Sequence, residues 1–424
     1  MKSTYLLFLL LLTSMVRAQV SHQTVQLSPG QLVLVAATEP VSSVALRLAE
    51  GQSVAGTYLV VAGDTLLLRA DSHAPSGQSA TVLCVFRQPV TQFTVWSGTV
   101  QGAVELTTLH VPPLPPGYVE ARMASARAAT ACDKPTVVPV SVWRVGLLPP
   151  KERPVATRVQ FVIVHHSAGS NTATNYADEV RNIYTFHTQS NGWNDVGYNF
   201  LIGRDGVIYE GRDGQGILDG DNVQGAHFCG QNSGTMGICL MGNFNDIQPT
   251  DASLSALKQL IGWKLKKEGI ADPTARTFHT GSGKQLSLIS GHRDGCATEC
   301  PGNNVYAKLL AIRAEVAGSC SFTTTAPPVV VVPTPLATDP TATGWTVFPN
   351  PGRGAFYVTH PSPHPAQVRF RLLDGLGRQL PLDATPQTTD QWRISLPGAT
   401  AGLYWLRCAD GAEVAVRAVW YSPQ

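Results

Sequence analysis

The stretch that decides the fold is FVIVHHSAG, residues 161–169, in which an apolar run ends at two histidines and a small-residue turn. A short run of valine, isoleucine and phenylalanine predicts a buried strand. Successive side chains of a strand point to opposite faces, so only one of His165 and His166 can point toward a given site. Loops that leave the edge of a sheet are where sites are commonly built. We therefore expect a functional site near the end of this strand.

The sequence after this strand mixes helical and extended patterns, which predicts an α/β domain over about residues 155–320. Val180, Ile183, Tyr184 and His187 follow the i, i+3, i+4, i+7 spacing of an amphipathic helix. The other predicted elements are a hairpin around residues 203–206, a strand at 236–241, and helices over 254–265 and 305–316.

A second motif, GHRDGCATECPG at residues 291–302, brings His292 and Cys300 close together on a loop rich in glycine. With His165 they make a set of two imidazoles and one thiolate, which suits zinc. Three protein ligands leave a fourth position for water, as in a catalytic zinc site. By spacing alone, paired histidines on a strand more often serve packing or the surface, and both explanations stay open at this point.

Four stretches, taken in their order along the chain, resemble the peptidoglycan recognition protein and amidase-2 family, which includes phage-lysozyme-type amidases. They are FVIVHHSAG (161–169), NGWNDVGYNFLIGRDGVIYEGR (191–212), GAHFCGQNSGTMGICLMGNF (225–244) and SGHRDGCATECPG (290–302). The resemblance implies a zinc-dependent N-acetylmuramoyl-L-alanine amidase. Such an enzyme hydrolyses the amide between the lactyl group of muramic acid and the first L-Ala of the stem peptide.

The resemblance also implies roles for particular residues. The implied ligands of one zinc ion are His165, His292 and Cys300. His166 stands where the family tolerates other residues. Tyr198 of the VGY motif is the implied catalytic group beside the metal, and Thr298 would donate a hydrogen bond to the oxyanion. Family members that sense without cutting lack a ligand, typically the cysteine, so the complete set favours an enzyme.

Substrate contacts are expected from His227, Arg212 and Asn199, which lie in or beside the family motifs. A satisfied loop histidine is an equally good explanation for His227. Between the second and third motifs the chain carries DGQGILDGDNVQ, residues 213–224, where the family usually has only a few residues. That segment helps to choose between diaminopimelate-type and lysine-type stem peptides, so the insertion leaves the preference open.

The chain has eight cysteines, and an exported chain permits disulfides. With Cys300 implied as a zinc ligand, seven remain, so at least one stays unpaired. Cys229 and Cys296 lie on loops next to two of the family motifs, and we expect a disulfide between them at the rim of the cleft. Cys239 lies in an apolar strand and is expected to be a buried thiol.

The predicted order of domains places β-rich modules on both sides of the α/β domain. Lys2, the apolar run at 5–12 and the small residues before Gln19 have the pattern of a secretory signal peptide. A buried N-terminal helix is the alternative. The predicted segments are a signal peptide (1–18), an N-terminal β-sandwich of unknown role (19–131), a proline-rich connector (132–157), the amidase domain (158–320), a Thr/Pro linker (321–343) and a small C-terminal β-sandwich (344–424).

The C-terminal module resembles the sorting domain of the bacterial type IX secretion system. The matching features are FPNP followed by a glycine turn, the DGLGR turn and the strand after AGLY. The last strand, VAVRAVWYSPQ, departs from the usual ending, an aliphatic strand closed by a basic residue. A carbohydrate-binding or spacer module is the alternative. The resemblance implies export through the type IX machinery and release or anchoring at the cell surface.

The leading hypothesis is therefore a secreted zinc amidase that acts on peptidoglycan and its muropeptides. The alternatives are a surface protein that binds peptidoglycan without cutting it and an adhesion protein that acts through its N-terminal module. The formal net charge of +2 excludes a strongly basic nucleic-acid binder. Without Lys2 and Arg17 the mature chain would be formally neutral, and no further apolar stretch is long enough to span a membrane.

Overall fold

The computed structural model of the chain consists of two compact units, Met1–Pro327 and Pro328–Gln424, and each is described by itself. The structure describes residues 18–71, 79–123, 132–320, 322, 344–362, 365–373, 379–399, 402–410 and 413–422. The predicted signal peptide and the predicted linker therefore lie outside the described residues, apart from Ala18 and Phe322. The predicted DGLGR turn of the C-terminal module also lies outside them.

The N-terminal module is one hydrogen-bonded sheet of seven strands in the order β1-β7-β2-β6-β3-β4, with β5 paired to β2. The predicted β-rich character is observed, but the hydrogen bonds join all seven strands into one sheet, whereas a sandwich has two. The long strand β2 pairs with β6 through two register shifts and with β7 along its second half, and such bulges bend a strand. The strands are Gln19–Leu27 (β1), Leu32–Leu48 (β2), Tyr58–Val61 (β3), Asp64–Leu67 (β4), Ser79–Ala80 (β5), Cys84–Trp96 (β6) and Gly102–His110 (β7).

The central domain is built on a mixed sheet of six strands in the order β15-β9-β12-β10-β11-β8, as its sequence predicts for an α/β domain. Strands β15, β9, β12 and β10 are parallel, and β11 runs antiparallel to β10. All six residues of β9 are buried, which explains its continuous apolar run. The strands are Val137–Val138 (β8), Phe161–His166 (β9), Phe200–Ile202 (β10), Ile208–Glu210 (β11), Thr235–Leu240 (β12) and Ile289–Gly291 (β15), with a separate ribbon of Arg276–His279 (β13) and Lys284–Ser287 (β14).

Helices cover both faces of this sheet. The side chains of Asn175 and Thr250 cap the N-termini of α3 and α4. The predicted helix over 305–316 is interrupted between Tyr306 and Leu309 and forms two helices, α6 and α7. The helices are Tyr118–Met123 (α1), Val140–Trp143 (α2), Tyr176–Thr185 (α3), Asp251–Lys267 (α4), His292–Gly295 (α5), Asn303–Tyr306 (α6) and Leu309–Ser319 (α7), with a π-helical turn at Phe186–Ser190 and a 3₁₀ turn at Gly220–Asn222.

The N-terminal module and the central domain share a hydrophobic core. On one side of the central sheet, α4 and α7 pack against the apolar side chains of β9 and β12. On the other side, Val180 and Tyr184 of α3 pack in one cluster with Leu83, Val85 and Leu109 of the N-terminal module. Buried apolar side chains of this size contribute roughly 1.5–3 kcal/mol each. The two predicted domains therefore fold as one unit.

Two disulfides are formed. The Cys229–Cys296 bond is the one that the sequence analysis expected. A second bond, Cys132–Cys320, was not predicted, and it joins the start of the connector to the residue after α7. Among the described residues the unpaired cysteines are Cys84, Cys239, Cys300 and Cys408, all buried, as expected for Cys239.

The second unit is a sheet of eight strands in the order β19-β18-β22-β23-β16-β17-β21-β20. Its core contains Trp345, Phe356, Trp392, Ile394 and Leu406. The sequence predicts this β-rich module, and its hydrogen bonds again form one sheet. The strands are Thr346–Arg353 (β16), Ala355–Thr359 (β17), Arg369–Leu373 (β18), Gln379–Leu380 (β19), Asp383–Pro386 (β20), Gln391–Ser395 (β21), Gly402–Asp410 (β22) and Glu413–Ser422 (β23).

Within the described part of the chain, no helix combines the length and the hydropathy that crossing a membrane requires.

Candidate metal centre and cleft

The candidate site lies where three parallel strands of the central sheet end. His165 is the fifth residue of β9 and stands opposite Cys239 of β12. His292 follows directly after β15, the other neighbour of β9, and begins α5. Because the carboxyl ends of parallel strands meet at one edge, residues that are distant in sequence come together there. A cleft of about 650 Å³ opens at this edge.

The three predicted metal ligands come together. One ligand atom from each of His165, His292 and Cys300 lies within 4.8 Å of the others, and all three residues are buried. The Sγ atom of Cys300 is 3.6 Å from Nδ1 of His165. Two imidazole nitrogens and one sulfur at this spacing fit the donor set that zinc prefers. Burial raises the pKa of the Cys300 thiol to about 12, and a divalent cation would favour the thiolate.

His227 contacts His165, one of the predicted metal ligands, whereas the sequence analysis expected His227 either to contact substrate or to be a satisfied loop histidine. Its Nδ1 is 3.0 Å from Nε2 of His165, and its Nε2 is 3.3 Å from Oγ1 of Thr235. Hydrogen bonds of this kind fix the orientation and the tautomer of a ligating histidine. One feature of the sequence fits this arrangement, namely the glycine at position 237, where a side chain would meet the ring of His227. A Cβ atom on Gly237, in the middle of β12, would lie 2.5 Å from Cδ2 of His227.

Tyr198 lies beside the ligand set and lines the cleft. Its ring centroid is 5.2 Å from that of His165. Burial raises the pKa of Tyr198 well above its usual value, and the nearby Cys239, Cys300 and Asp71 add to this effect. The hydroxyl group is therefore protonated at neutral pH and can donate a hydrogen bond.

Thr298 lines the cleft two residues before Cys300. Its Oγ1 accepts a hydrogen bond of 3.0 Å from the backbone N–H of Cys300. A hydroxyl group that accepts one bond can still donate another, so this arrangement is compatible with the predicted role. The hydroxyl also supports the loop that carries the cysteine ligand.

Asn199 does not contact the cleft, in contrast to the prediction. Its Nδ2 donates to the backbone carbonyls of Gly220 and Val223, and its Oδ1 accepts from the N–H of Gly237. The side chain is fully buried, and these three bonds hold the inserted segment 213–224 against β12. The structure thus assigns Asn199 a structural role in place of a substrate contact.

Arg212 lines a second cavity of about 200 Å³ and is not among the described residues that line the main cleft. Burial lowers the pKa of its guanidinium, and the neighbouring Asp195 opposes that shift. The inserted segment contributes Asp213, Gln215, Val223 and Gln224 to the same cavity. Among the described residues that line the main cleft, none belongs to residues 213–224. The predicted contact between Arg212 and the substrate therefore has no support from the shape of the cleft.

The disulfide between Cys229 and Cys296 lies next to His292, one of the predicted metal ligands. The Sγ atom of Cys229 is 3.6 Å from Nε2 of His292. Cys296 belongs to the loop between His292 and Cys300, so the bond ties this loop to the segment that follows His227. Its predicted position at the rim of the site agrees with this geometry.

The cleft has a second wall that the sequence analysis did not identify. Residues of the N-terminal module also line the cleft, among them Leu68, Arg69, Asp71, Leu83 and Val85. Their pattern in the sequence is that of ordinary strands, and only the packing of the module on α3 brings them to the cleft. Glu179 of α3 also lines the cleft.

Comparison with known proteins agrees with this geometry. Residues 155–303 match the family model described as N-acetylmuramoyl-L-alanine amidase. Peptidoglycan-recognition protein SC2 of Drosophila simulans is 35% identical over 176 residues, which is 41% of this chain and 84% of that protein. Peptidoglycan recognition protein 1 of Mus musculus is 34% identical over 191 residues, which is 44% of this chain and 91% of that protein. The N-acetylmuramoyl-L-alanine amidase of Homo sapiens is 29% identical over 178 residues, which is 41% of this chain and 27% of that protein.

Proposed function

Because the chain belongs to the family of peptidoglycan-recognition proteins and N-acetylmuramoyl-L-alanine amidases, we propose that it is a secreted, zinc-dependent amidase of this type. Its substrate would be the amide between the lactyl group of muramic acid and the L-Ala of the stem peptide. The observation that carries the proposal is the convergence of His165, His292 and Cys300 at the cleft. A protein that only binds peptidoglycan has no need of a complete ligand set.

In this proposal His165, His292 and Cys300 hold one zinc ion. When bound, zinc would supply a Lewis acid that polarises the scissile carbonyl group. His227 keeps the ring of His165 oriented through the 3.0 Å contact. Tyr198 stays protonated and donates a hydrogen bond to the oxygen on which negative charge develops. Thr298 supports the cysteine loop and offers a second hydroxyl group at the same cleft.

The alternative is a protein that binds muropeptides without cutting them. The similarity to peptidoglycan-recognition proteins supports this alternative, because the name of those relatives describes recognition and does not mention cleavage. The complete set of predicted ligands and the position of Tyr198 beside it favour the amidase.

The test is mass spectrometry of purified peptidoglycan after digestion with the full chain. We expect free stem peptides that begin with L-Ala, and we expect a chelator to stop their release. Cys300→Ala should lose both the bound zinc and the activity while it keeps the fold. Cys408→Ala, the same substitution at a buried thiol of the other unit, is the matched control and should keep both. Wild-type activity in Cys300→Ala or in the chelated protein would refute the zinc mechanism.

We further propose that residues 1–18 direct export and that residues 344–424 act as a type IX sorting domain. The support is the sequence pattern described above and the β-rich fold of the second unit. Deletion of residues 344–424 should leave the protein in the periplasm of a host that has this secretion system. Unchanged release of the truncated protein would favour the alternative, a carbohydrate-binding or spacer module.

A further inference from the structure

The N-terminal module is fixed to the central domain, so its surface keeps one position relative to the cleft. Oγ of Ser43, on β2, donates a hydrogen bond of 2.8 Å to Oδ1 of Asn182 on α3. The guanidinium of Arg181 donates to the backbone carbonyl of Pro112 at 2.9 Å. The apolar cluster that the module shares with α3 adds to these contacts. A binding surface on this module would therefore stand in a constant place beside the cleft.

A row of apolar and aromatic side chains crosses four strands of this module. Leu32 on β2 stands opposite Trp96 on β6, and Trp96 stands opposite Tyr58 on β3. Tyr58 in turn stands opposite Leu67 on β4. Side chains that are directly opposite lie on the same face of a sheet. The rings of Tyr58 and Trp96 have centroids 5.9 Å apart and planes 19° from parallel. Neighbouring strands lie about 4.8 Å apart, so the row extends over roughly 14 Å.

The row lies on the outer face of the sheet. Leu59 and Val95, each next in sequence to one of the two aromatic residues, point the other way and belong to the buried core of the module. Leu32 is 58% exposed and Leu67 is 51% exposed, and the two aromatic side chains are partly exposed. Single exposed apolar residues are common on protein surfaces, but a contiguous set of them indicates a binding surface.

The row begins at the cleft. Leu67 lines the cleft, and β4 is the edge strand at that end of the sheet. Gly56, in the loop before β3, also lines the cleft. A Cβ atom on Gly56 would lie 3.9 Å from Cα of Gly98, two residues after Trp96. A polymer that extends out of the cleft at this point would therefore continue along the row from β4 toward β2.

The chemistry of this outer face suits a neutral sugar chain. A second row in the same register beside the first contains Leu34, Thr94, Val60 and Thr65, and neither row contains a charged side chain. Nucleic acids and anionic membranes require basic groups, which both rows lack. Aromatic rings offer flat apolar surfaces, and threonine hydroxyl groups donate and accept hydrogen bonds. Sugar rings present C–H groups on their faces and hydroxyl and amide groups at their edges, which matches this combination.

We propose that this outer face of the N-terminal module binds the glycan strand of peptidoglycan where the strand leaves the cleft. The inference rests on the proposed function, because the muramic acid in the cleft belongs to that strand. The strand consists of N-acetylated, β-1,4-linked amino sugars, and it is uncharged wherever its lactyl groups are still joined to stem peptides. Tyr58 and Trp96 contact the sugar rings, and Leu32 and Leu67 extend the contact on either side. The face would then favour long glycan strands over small muropeptides.

The test measures binding of a soluble hexamer of β-1,4-linked N-acetylglucosamine to the full chain by calorimetric titration. The hexamer has no stem peptide and no charge, so its binding does not depend on cleavage. Trp96→Leu should weaken binding about tenfold, as expected when an aromatic anchor is lost. Trp405→Leu, at a tryptophan that is 42% exposed in the second unit, is the matched control and should leave binding unchanged. Leu34→Asp, at a side chain that is 66% exposed, should also weaken binding, and it decides the question if Trp96→Leu does not fold.

Activity provides a second measurement. The ratio of the rate on intact peptidoglycan to the rate on a muramyl-tripeptide should fall in Trp96→Leu and stay constant in Trp405→Leu. A wild type that does not bind the hexamer, or equal binding by the wild type, Trp96→Leu and Leu34→Asp, would overturn the glycan site. Self-association of the wild type that these substitutions abolish, without hexamer binding, would assign the face to a second copy of the chain and would also overturn it. If neither substrate is cut, the proposed function fails, and the titration with the hexamer still decides on the glycan site.

Discussion

At the scale of the residue, the two nitrogens of the His165 ring have different partners. Nδ1 faces Sγ of Cys300 at 3.6 Å, and Nε2 faces Nδ1 of His227 at 3.0 Å. The ring of His165, a predicted metal ligand, is thus oriented by His227, for which the sequence motif suggests a substrate contact. This division of roles leads to two predictions, one for the group that acts on the reaction and one for the group that supports the metal.

Tyr198→Phe should lower kcat by about 10²–10³, because the oxyanion loses a protonated donor that burial keeps neutral. The zinc content and the melting midpoint should stay close to those of the wild type. The measurement is the steady-state rate on a defined muropeptide, together with metal analysis. Tyr209→Phe, on the buried strand β11, is the control. A variant Tyr198→Phe with wild-type kcat would remove Tyr198 from the mechanism.

His227→Ala should weaken zinc binding by about 10–100-fold, because His165 loses the hydrogen bond that orients its ring. Competition with a chromophoric chelator measures this affinity directly. His110→Ala, on strand β7, serves as the control. If His227 instead contacted substrate, as its motif first suggests, KM would rise while the zinc affinity stayed constant.

At the scale of the element, the inserted segment 213–224 is anchored to helix α4 by buried charges. Nζ of Lys264 lies 2.5 Å from Oδ2 of Asp221 and 2.6 Å from Oε1 of Glu268, and the lysine is fully buried. On the other side of the insertion, Asn199 holds the backbone at Gly220. The insertion is therefore anchored within the domain and borders the smaller cavity.

Lys264→Ala should reduce the free energy of unfolding by about 3–5 kcal/mol, because it removes the buried ammonium group that pairs with Asp221 and Glu268 and leaves Asp221 with the partly exposed Lys267. Chemical denaturation of the full chain measures this loss of unfolding free energy, which should appear in the transition that unfolds the unit Met1–Pro327. Lys258→Ala, on the same helix, removes a more exposed pair with Glu315 and should cost only about 0–1 kcal/mol. Equal losses of unfolding free energy in the two variants would show that the buried ion pairs of Lys264 stabilise the domain no more than the exposed pair of Lys258 does.

At the scale of the whole molecule, the chain divides after Pro327, and no such division falls at the predicted boundary near residue 131. The reason is the apolar face of α3, which packs against Leu83, Val85 and Leu109 of the N-terminal module. A domain border drawn from composition alone misses a core that two modules share.

Deletion of residues 19–131 should therefore yield an insoluble or molten central domain, because several buried apolar side chains of α3 become exposed. Truncation after Pro327 should leave a soluble protein with an intact first unfolding transition. Size-exclusion chromatography and thermal circular dichroism distinguish the two cases. A well-folded, monomeric chain without residues 19–131 would contradict the shared core.

The sequence by itself determined the β-rich and α/β character of the successive modules and predicted three candidate metal ligands. The apolar run of β9 could only be a buried strand, and the residues that end it could only lie at the edge of a sheet. His165, His292 and Cys300 were predicted as metal ligands through the resemblance of their motifs to those of the amidase-2 family, since spacing alone left packing and metal binding both open. The geometry of strands and turns determines which residue patterns form them. Such elements can therefore be predicted from the order of residues within a short segment.

Only the tertiary structure decided what surrounds the ligands. It turned His227 toward His165, bound the side chain of Asn199 to the backbone, and brought Asp71 and Glu179 to one cleft. These contacts join residues from separate strands, loops and helices, so no spacing within the sequence encodes them. They form only when the apolar surfaces of different elements pack together. The free energy of that packing depends on the buried area and does not depend on how far apart the residues lie in the sequence.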